Sequence, residues 1–218
     1  MVSFQLTLEL YGFLPIILPI ASAIIIAIIG KFTENKGLLG TVNSLMILIA
    51  TYFAIKNFMT VLKTGVPIVA SYNAYLPPIG SCLEIDLLSA FFAMLFTFIG
   101  LCVSIYSIGY MEKEGIRNYF MLLSILIASL VGVVYAGDFF TLFIFYEMLG
   151  VSAYILVAFY KNEEAIEAAV KYFIMGAAGS ALILYGLALI YGLTGTLNMA
   201  LVMKIMSNTQ ISYELYPI

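Results

Sequence analysis

GDFFTLFIFYEMLGVSAYILVAFYKNEEAIEAAVK, residues 137–171, decides how the chain is read, because it sets one carboxylate, Glu147, inside an otherwise apolar helical run. If that run crosses a membrane, Glu147 lies about nine residues past its start. At ~1.5 Å per residue that is roughly 13 Å deep, near the middle of a hydrocarbon layer about 30 Å thick. An acidic side chain there costs on the order of 3 kcal/mol, so its default reading is a site that binds or relays a cation or proton.

The sequence around this stretch supports the membrane reading. Of 218 residues, 64% are hydrophobic and 10% charged, and the mean hydropathy is +1.11; soluble domains are about half apolar and a quarter charged. At about 20 residues per span the length holds six helices with short loops and no soluble domain. The predicted class is an all-α integral membrane protein, with residues 1–218 as one membrane domain. Spans are expected at about 8–30, 37–62, 86–110, 118–135, 139–160 and 168–191. Met1 to Tyr11 has no Lys or Arg, so the first span reads as retained and not as a signal peptide. A longer external loop is expected at 64–85, where Pro67, Pro77, Pro78 and Gly80 stand among β-branched and aromatic residues and allow a short hairpin. A surface tail is expected at 196–218. Only Ala136, Gly137 and Asp138 separate helices four and five, which makes them antiparallel neighbours.

The net charge is −3 and the basic residues are scattered, so no nucleic-acid surface is expected. The chain has no histidine, which removes imidazole haem ligation, most zinc sites and the usual acid/base triads. No cofactor or metal is expected. Cys82 and Cys102 are too differently placed for a cluster or a disulfide, and Cys102 reads as a small hydrophobe. Lys31, Lys36, Lys113, Arg117, Lys161 and Lys171 fall at one end of the spans, against Lys56, Lys63 and Lys204 at the other. By the positive-inside rule both termini face outward in a multi-pass cell-membrane protein.

Residues three, four and seven apart share a helix face, so Glu147 stands with Phe143, Gly150, Val151 and Tyr154. Gly176 to Ala181 is expected to form the tightest helix-packing surface, against helix five. A plainer role for Glu147 is a single hydrogen bond to a neighbouring helix. Lys171 divides evenly between an i,i+4 ion pair with Glu167 and membership of a relay with Glu147. Asp86 and Asp138 suit helix caps, and Arg117 and Lys56 suit interfacial anchors.

The order of three blocks is more specific. IDLLSAFFAMLFTFIGLCVSIYSIGYM, RNYFMLLSILIASLVGVVYAGDFFTLFIFYEMLGVSAYILVAFY and EAAVKYFIMGAAGSALILYGLALIYGLTGTLN resemble the antiporter-like, proton-conducting subunits of respiratory complex I. That family includes the large subunits of multisubunit sodium/proton antiporters and of energy-converting membrane hydrogenases. The resemblance runs from about Asp86 to Asn198. It implies that Glu147 belongs to a charged chain along the membrane midplane, coupled to a lysine on a broken seventh helix, and that Lys171 matches the lysine opening the sixth. Arg117 and Asp138 match family positions with weaker functional roles. The seventh helix and the second repeat have no counterpart among these 218 residues, so the partner of Glu147 is expected from elsewhere, and six helices alone should not conduct.

The resulting expectation is an ion-translocating subunit, for H⁺ or Na⁺, embedded in the lipid bilayer among other membrane subunits of a complex-I-related redox complex. An energy-converting hydrogenase is the expected type, with redox catalysis outside this chain. The alternative is a non-conducting scaffold subunit of the same kind of membrane arm. Glu147 sealed among apolar side chains, with no charged residue in reach, would favour the scaffold.

Overall fold

The structure is a computed structural model that describes residues 2–33, 35–71, 82–111 and 115–208. Lys113, Pro77, Pro78, Gly80 and the end of the tail lie outside the described residues. The elements are α1 (Val2–Ile29), α2 (Lys36–Thr64), β1 (Ile68–Ser71), β2 (Cys82–Ile85), α3 (Leu87–Tyr110), α4 (Ile116–Tyr135), α5 (Phe139–Val157), α6 (Glu163–Thr194) and α7 (Met199–Asn208). Among the described residues six helices are long and apolar enough to cross a membrane, and the protein is an all-α integral membrane protein.

Local chemistry sets the helix ends. Asn35 begins α2 by accepting from the amides of Gly37 and Leu38, and Gly65, at φ 64°, ends it in the left-handed conformation that glycine adopts without strain. Asp86 starts α3 through a capping box with Ser89. Two ends differ from the expected spans. α6 starts at Glu163 and not near 168, because Asn162 accepts from the Ala165 amide and Glu163 and Glu164 then meet the positive end of the helix dipole. The acidic run that resembles a loop is therefore the helix's own first turn. α5 stops at Val157 instead of 160, where a turn closes through Lys161 at φ 57°. The tail region also contains a helix, α7, which buries Val202.

The core lies within α1–α4. Near one end Ile16, Val61, Ile68, Ile85, Val131 and Tyr135 cluster, joining the β1–β2 hairpin to the bundle; near the other end Ile26, Leu39, Ile47, Phe120 and Ile127 do so. α5 packs on α4, and α6 packs on α5 with α7 at its end. Between 33% and 50% of the hydrophobic windows of α1–α4 is buried, against 11% for α5 and α6, so the last two spans form an outlying pair with a broad apolar face. Glycines make room for close helix contacts both in the bundle and on the small-residue run of α6. Gly132 of α4 receives the Phe145 ring, Gly100 receives Ile127, and Gly40 receives Ile108 and Phe120. On α6, Gly176 meets Tyr154, whereas Gly179 faces open space.

Candidate functional site

α5 sets the position of Glu147. The helix begins at Phe139, so Glu147 stands about 12 Å along a helix about 28 Å long, close to its centre. The side chain is partly buried, and its Oε1 is sealed from solvent with no hydrogen-bond partner. Ser152, on the same helix, bonds the carbonyls of Met148 and Leu149 and so offers Glu147 nothing.

Tyr154 joins α5 to α6. Its ring meets Tyr172 and Phe173 edge-on, with centroids 4.7 and 5.7 Å away, and its hydroxyl rests against Gly176. In an antiparallel pair, moving seven residues back on α5 to Glu147 moves about seven residues forward on α6, to roughly 180–183. Ser180 lies there and is buried. Lys171 stands instead at the level of Tyr154, about 10 Å along the axis from Glu147. Its ammonium donates to Glu167, one turn earlier on α6, and both side chains are about two-thirds exposed. The structure thus gives Lys171 the surface ion pair and does not bring it to Glu147. Replacing Lys171 with alanine should lower stability by no more than about 0.5 kcal/mol. A melting point displaced by more than about 2 °C would reveal an interaction beyond that pair.

Asp138 does more than cap α5. Its Oδ1 accepts from the Thr141 amide at 2.7 Å, and its Oδ2 accepts from the Thr141 hydroxyl at 2.7 Å and the Cys82 amide at 2.8 Å. The backbone continues the tie, with Gly137 N–H donating to Cys82, Phe139 N–H to Leu197 and Met199 N–H to Gly137. The hairpin, the α4–α5 link and the α6–α7 link therefore meet at one buried carboxylate. Cys82 is a free, buried thiol whose pKa is raised from 9.0, first by burial and then by Glu84 and Asp138. Cys102 is also free, but it is exposed on α3 instead of packed inside.

Asp86 remains a cap at the membrane edge. Arg117 lays its aliphatic stem over Gly30 and donates from Nε to Asn118 at 3.3 Å, fastening the end of α1 to α4. At the opposite end the Lys56 ammonium sits over the Tyr11 ring, 4.8 Å from its centroid.

Sequence reasoning missed a second polar centre. Asn43 of α2 is fully buried: Ser22 of α1 donates to its Oδ1 at 2.8 Å, Ser124 of α4 donates to the same oxygen, and its Nδ2 donates to Ser104 of α3 at 2.9 Å. Nearer the hairpin, Asn57 reaches the Gly12 carbonyl and the Tyr135 hydroxyl. The signal was present, because an amide inside an apolar helix is unusual for the same reason Glu147 is. Among the described residues no group of three or more His, Cys, Asp or Glu is placed to hold a metal ion.

The chain is thus a helical membrane unit with a carboxylate at the middle of an outlying span. Comparison with known proteins makes this class specific. Residues 136–216 match the family described as NADH:quinone oxidoreductase/Mrp antiporter, TM, and residues 78–121 match NADH-Ubiquinone oxidoreductase (complex I), chain 5 N-terminus. The F(420)H(2) dehydrogenase subunit N of Methanosarcina mazei is 30% identical over 89% of this chain and 39% of its own length. A probable K(+)/H(+) antiporter subunit of Rhizobium meliloti is 33% identical over 86% of this chain and 35% of its own. A chain in the structure of the membrane-bound sulfane sulfur reductase, an archaeal respiratory membrane complex, superimposes with a TM-score of 0.84 at 34% identity, covering 90% of this chain and 40% of that one. The chain belongs to the antiporter-like membrane-subunit family shared by complex I and the Mrp antiporters. It spans about two fifths of the length of the relatives it matches.

Proposed function

We propose that this chain takes part in proton or sodium translocation as an antiporter-like membrane subunit of a complex-I-related redox complex, of the energy-converting hydrogenase kind, and that Glu147 takes up and releases the ion. The observation that carries this reading is the mid-span position of the Glu147 carboxylate in an apolar helix. An unpaired carboxylate is a costly structural feature and a serviceable ion site. Other membrane subunits cover the exposed apolar face of α5 and α6 and supply the charge that drives Glu147, since Lys171 does not. Both termini face outward, with Lys31, Lys36, Arg117 and Lys161 on the inner side.

The test is ion translocation by membrane vesicles containing the assembled complex. Glu147→Gln should lower the rate on the order of a hundredfold while subunit composition stays unchanged. A second reading, a non-conducting scaffold, is favoured by the lack of any charged partner at Glu147 among the described residues. Wild-type translocation in assembled Glu147→Gln would establish the scaffold in its place.

A further inference from the structure

The start of α4, the end of α5 and the start of α6 meet at the basic end of the spans, and a cleft opens among them. Its mouth, about 480 Å³, is lined by Gly115 and Asn118 of the α4 start and by Lys161 of the α5–α6 turn. A second cavity, about 390 Å³, lies between α5 and α6 and is lined by Val151, Ala169 and Phe173 among other apolar and aromatic side chains. Ile155, Ala158 and Ile166 line both, so the two are continuous. From Ala158 to Val151 on α5, and from Ile166 to Phe173 on α6, the slot runs about 10 Å into the layer. That is roughly two thirds of one leaflet. The cleft is therefore basic and polar at the membrane edge and apolar toward the bilayer centre.

Two observations mark the mouth as built for an anion. Lys161 is the one non-glycine among the described residues held at positive φ, 57°, in a turn where glycine would fit without strain. Among the described residues it has no ion pair. Asn118 accepts from Arg117 Nε at 3.3 Å, so a guanidinium stands beside the mouth as well. The nearby acids are engaged elsewhere: Glu163 and Glu164 face the α6 dipole, Glu167 pairs with Lys171, and none of the three lines the cleft. Volume bears on the tail. A helix ~10 Å across and as long as the slot fills roughly 800 Å³, about twice what the slot holds, whereas a single acyl chain is narrow enough. We propose that this cleft binds one anionic phospholipid, its phosphate against Lys161 and Arg117 and one acyl chain in the slot between α5 and α6. Basic pockets between membrane helices hold anionic headgroups in this way.

Photolabelling tests it. The assembled complex is placed in phosphatidylcholine nanodiscs that carry a small share of diazirine-tailed phosphatidylglycerol or, in parallel, the matching phosphatidylcholine, and the label is mapped by peptide mass analysis. Phosphatidylglycerol should label residues 151–173 about fivefold or more above phosphatidylcholine. Lys161→Gly removes one charge and suits the turn, and should lower that labelling about fivefold, the scale of one basic side chain at an anionic surface. Adding Arg117→Gln, which keeps most of the stem over Gly30, should bring the loss to about twenty-five-fold. Label on α2 and α3 should not change. Ala158→Trp leaves both charges and fills the slot, and should remove the label from the same segment. Equal labelling by the two lipids, or undiminished labelling in the double variant or in Ala158→Trp, overturns the proposal. So does a wild-type segment that neither lipid labels, which would put protein in the cleft.

Discussion

Asp138→Ala should destabilise the membrane unit by about 3 kcal/mol or more. The carboxylate is 4% exposed and accepts three hydrogen bonds. Alanine leaves the Cys82 and Thr141 amides buried without an acceptor, at about 1–3 kcal/mol each, the Thr141 bond being the N-cap of α5 itself. Asp138→Asn separates the two functions. Asparagine caps as well as aspartate, so α5 should persist, but its amide nitrogen is a donor and cannot replace Oδ2 in accepting from both Cys82 and Thr141. The hairpin should then loosen while the helix that carries Glu147 stays in place. Cys82 reports this directly. Burial and the charges of Glu84 and Asp138 hold its pKa above 9.0, so at pH 8 little thiolate forms and alkylation is slow. Removal of the Asp138 charge and loosening of the hairpin both lower that pKa toward its ordinary value, and the thiolate fraction rises. Maleimide labelling of Cys82 in a Cys102→Ala background should therefore speed up in Asp138→Asn, and unchanged labelling would show that the hairpin is held by other contacts.

The multiplicity of roles at Asp138 explains what the sequence does and does not disclose. An acidic residue directly before a helix reads locally as a cap, and that is correct for both Asp86 and Asp138. The amide that Asp138 accepts from Cys82 lies 56 residues away, and no spacing rule reaches it. Spans read well because a 30 Å hydrocarbon layer imposes length and composition on each helix. Their ends read less well, since caps and first-turn charges can extend a helix into a polar run, as Asn162 and Glu163 do.

Glu147 is legible for a different reason. A carboxylate in an apolar helix is conspicuous without any partner. The location of its partner is a question of inter-helix geometry, and there Lys171 misleads. Its separation in sequence is compatible with contact, but the Tyr154–Gly176 crossing places it about two helical turns from the carboxylate. The glycine pair around Tyr154 was equally hidden, because Gly150 and Gly176 look like ordinary packing residues until the crossing sets them against one hydroxyl.

Asn43→Ala should cost about 2–3 kcal/mol, and it should do so without touching Glu147. One side chain links all four bundle helices: Ser22 of α1, Ser104 of α3 and Ser124 of α4 all bond Asn43 of α2. Hydrogen bonds between membrane helices average about 0.6 kcal/mol and reach about 1.7, because a serine that loses its partner can turn back to its own helix carbonyl, as Ser129 does to Ile125. Three such bonds and the cavity left by the amide give the total. The bonds also fix how the four helices are rotated against one another, which apolar packing alone specifies poorly. A double-mutant cycle between Asn43→Ala and Ser104→Ala, read from thermal unfolding in detergent, should return a coupling near the average membrane value; additive effects would mean that the bond contributes nothing to stability. α5 meets this bundle through α4, where Phe145 sits on Gly132, and the Asn43 cluster lies within α1–α4. The carboxyl infrared band of Glu147, the one that Glu147→Gln removes, should accordingly stay at its wild-type frequency in Asn43→Ala. A shifted band there would show that the bundle's polar centre and the carboxylate of α5 are coupled through α4, and that the four inner helices are part of the ion site's own machinery.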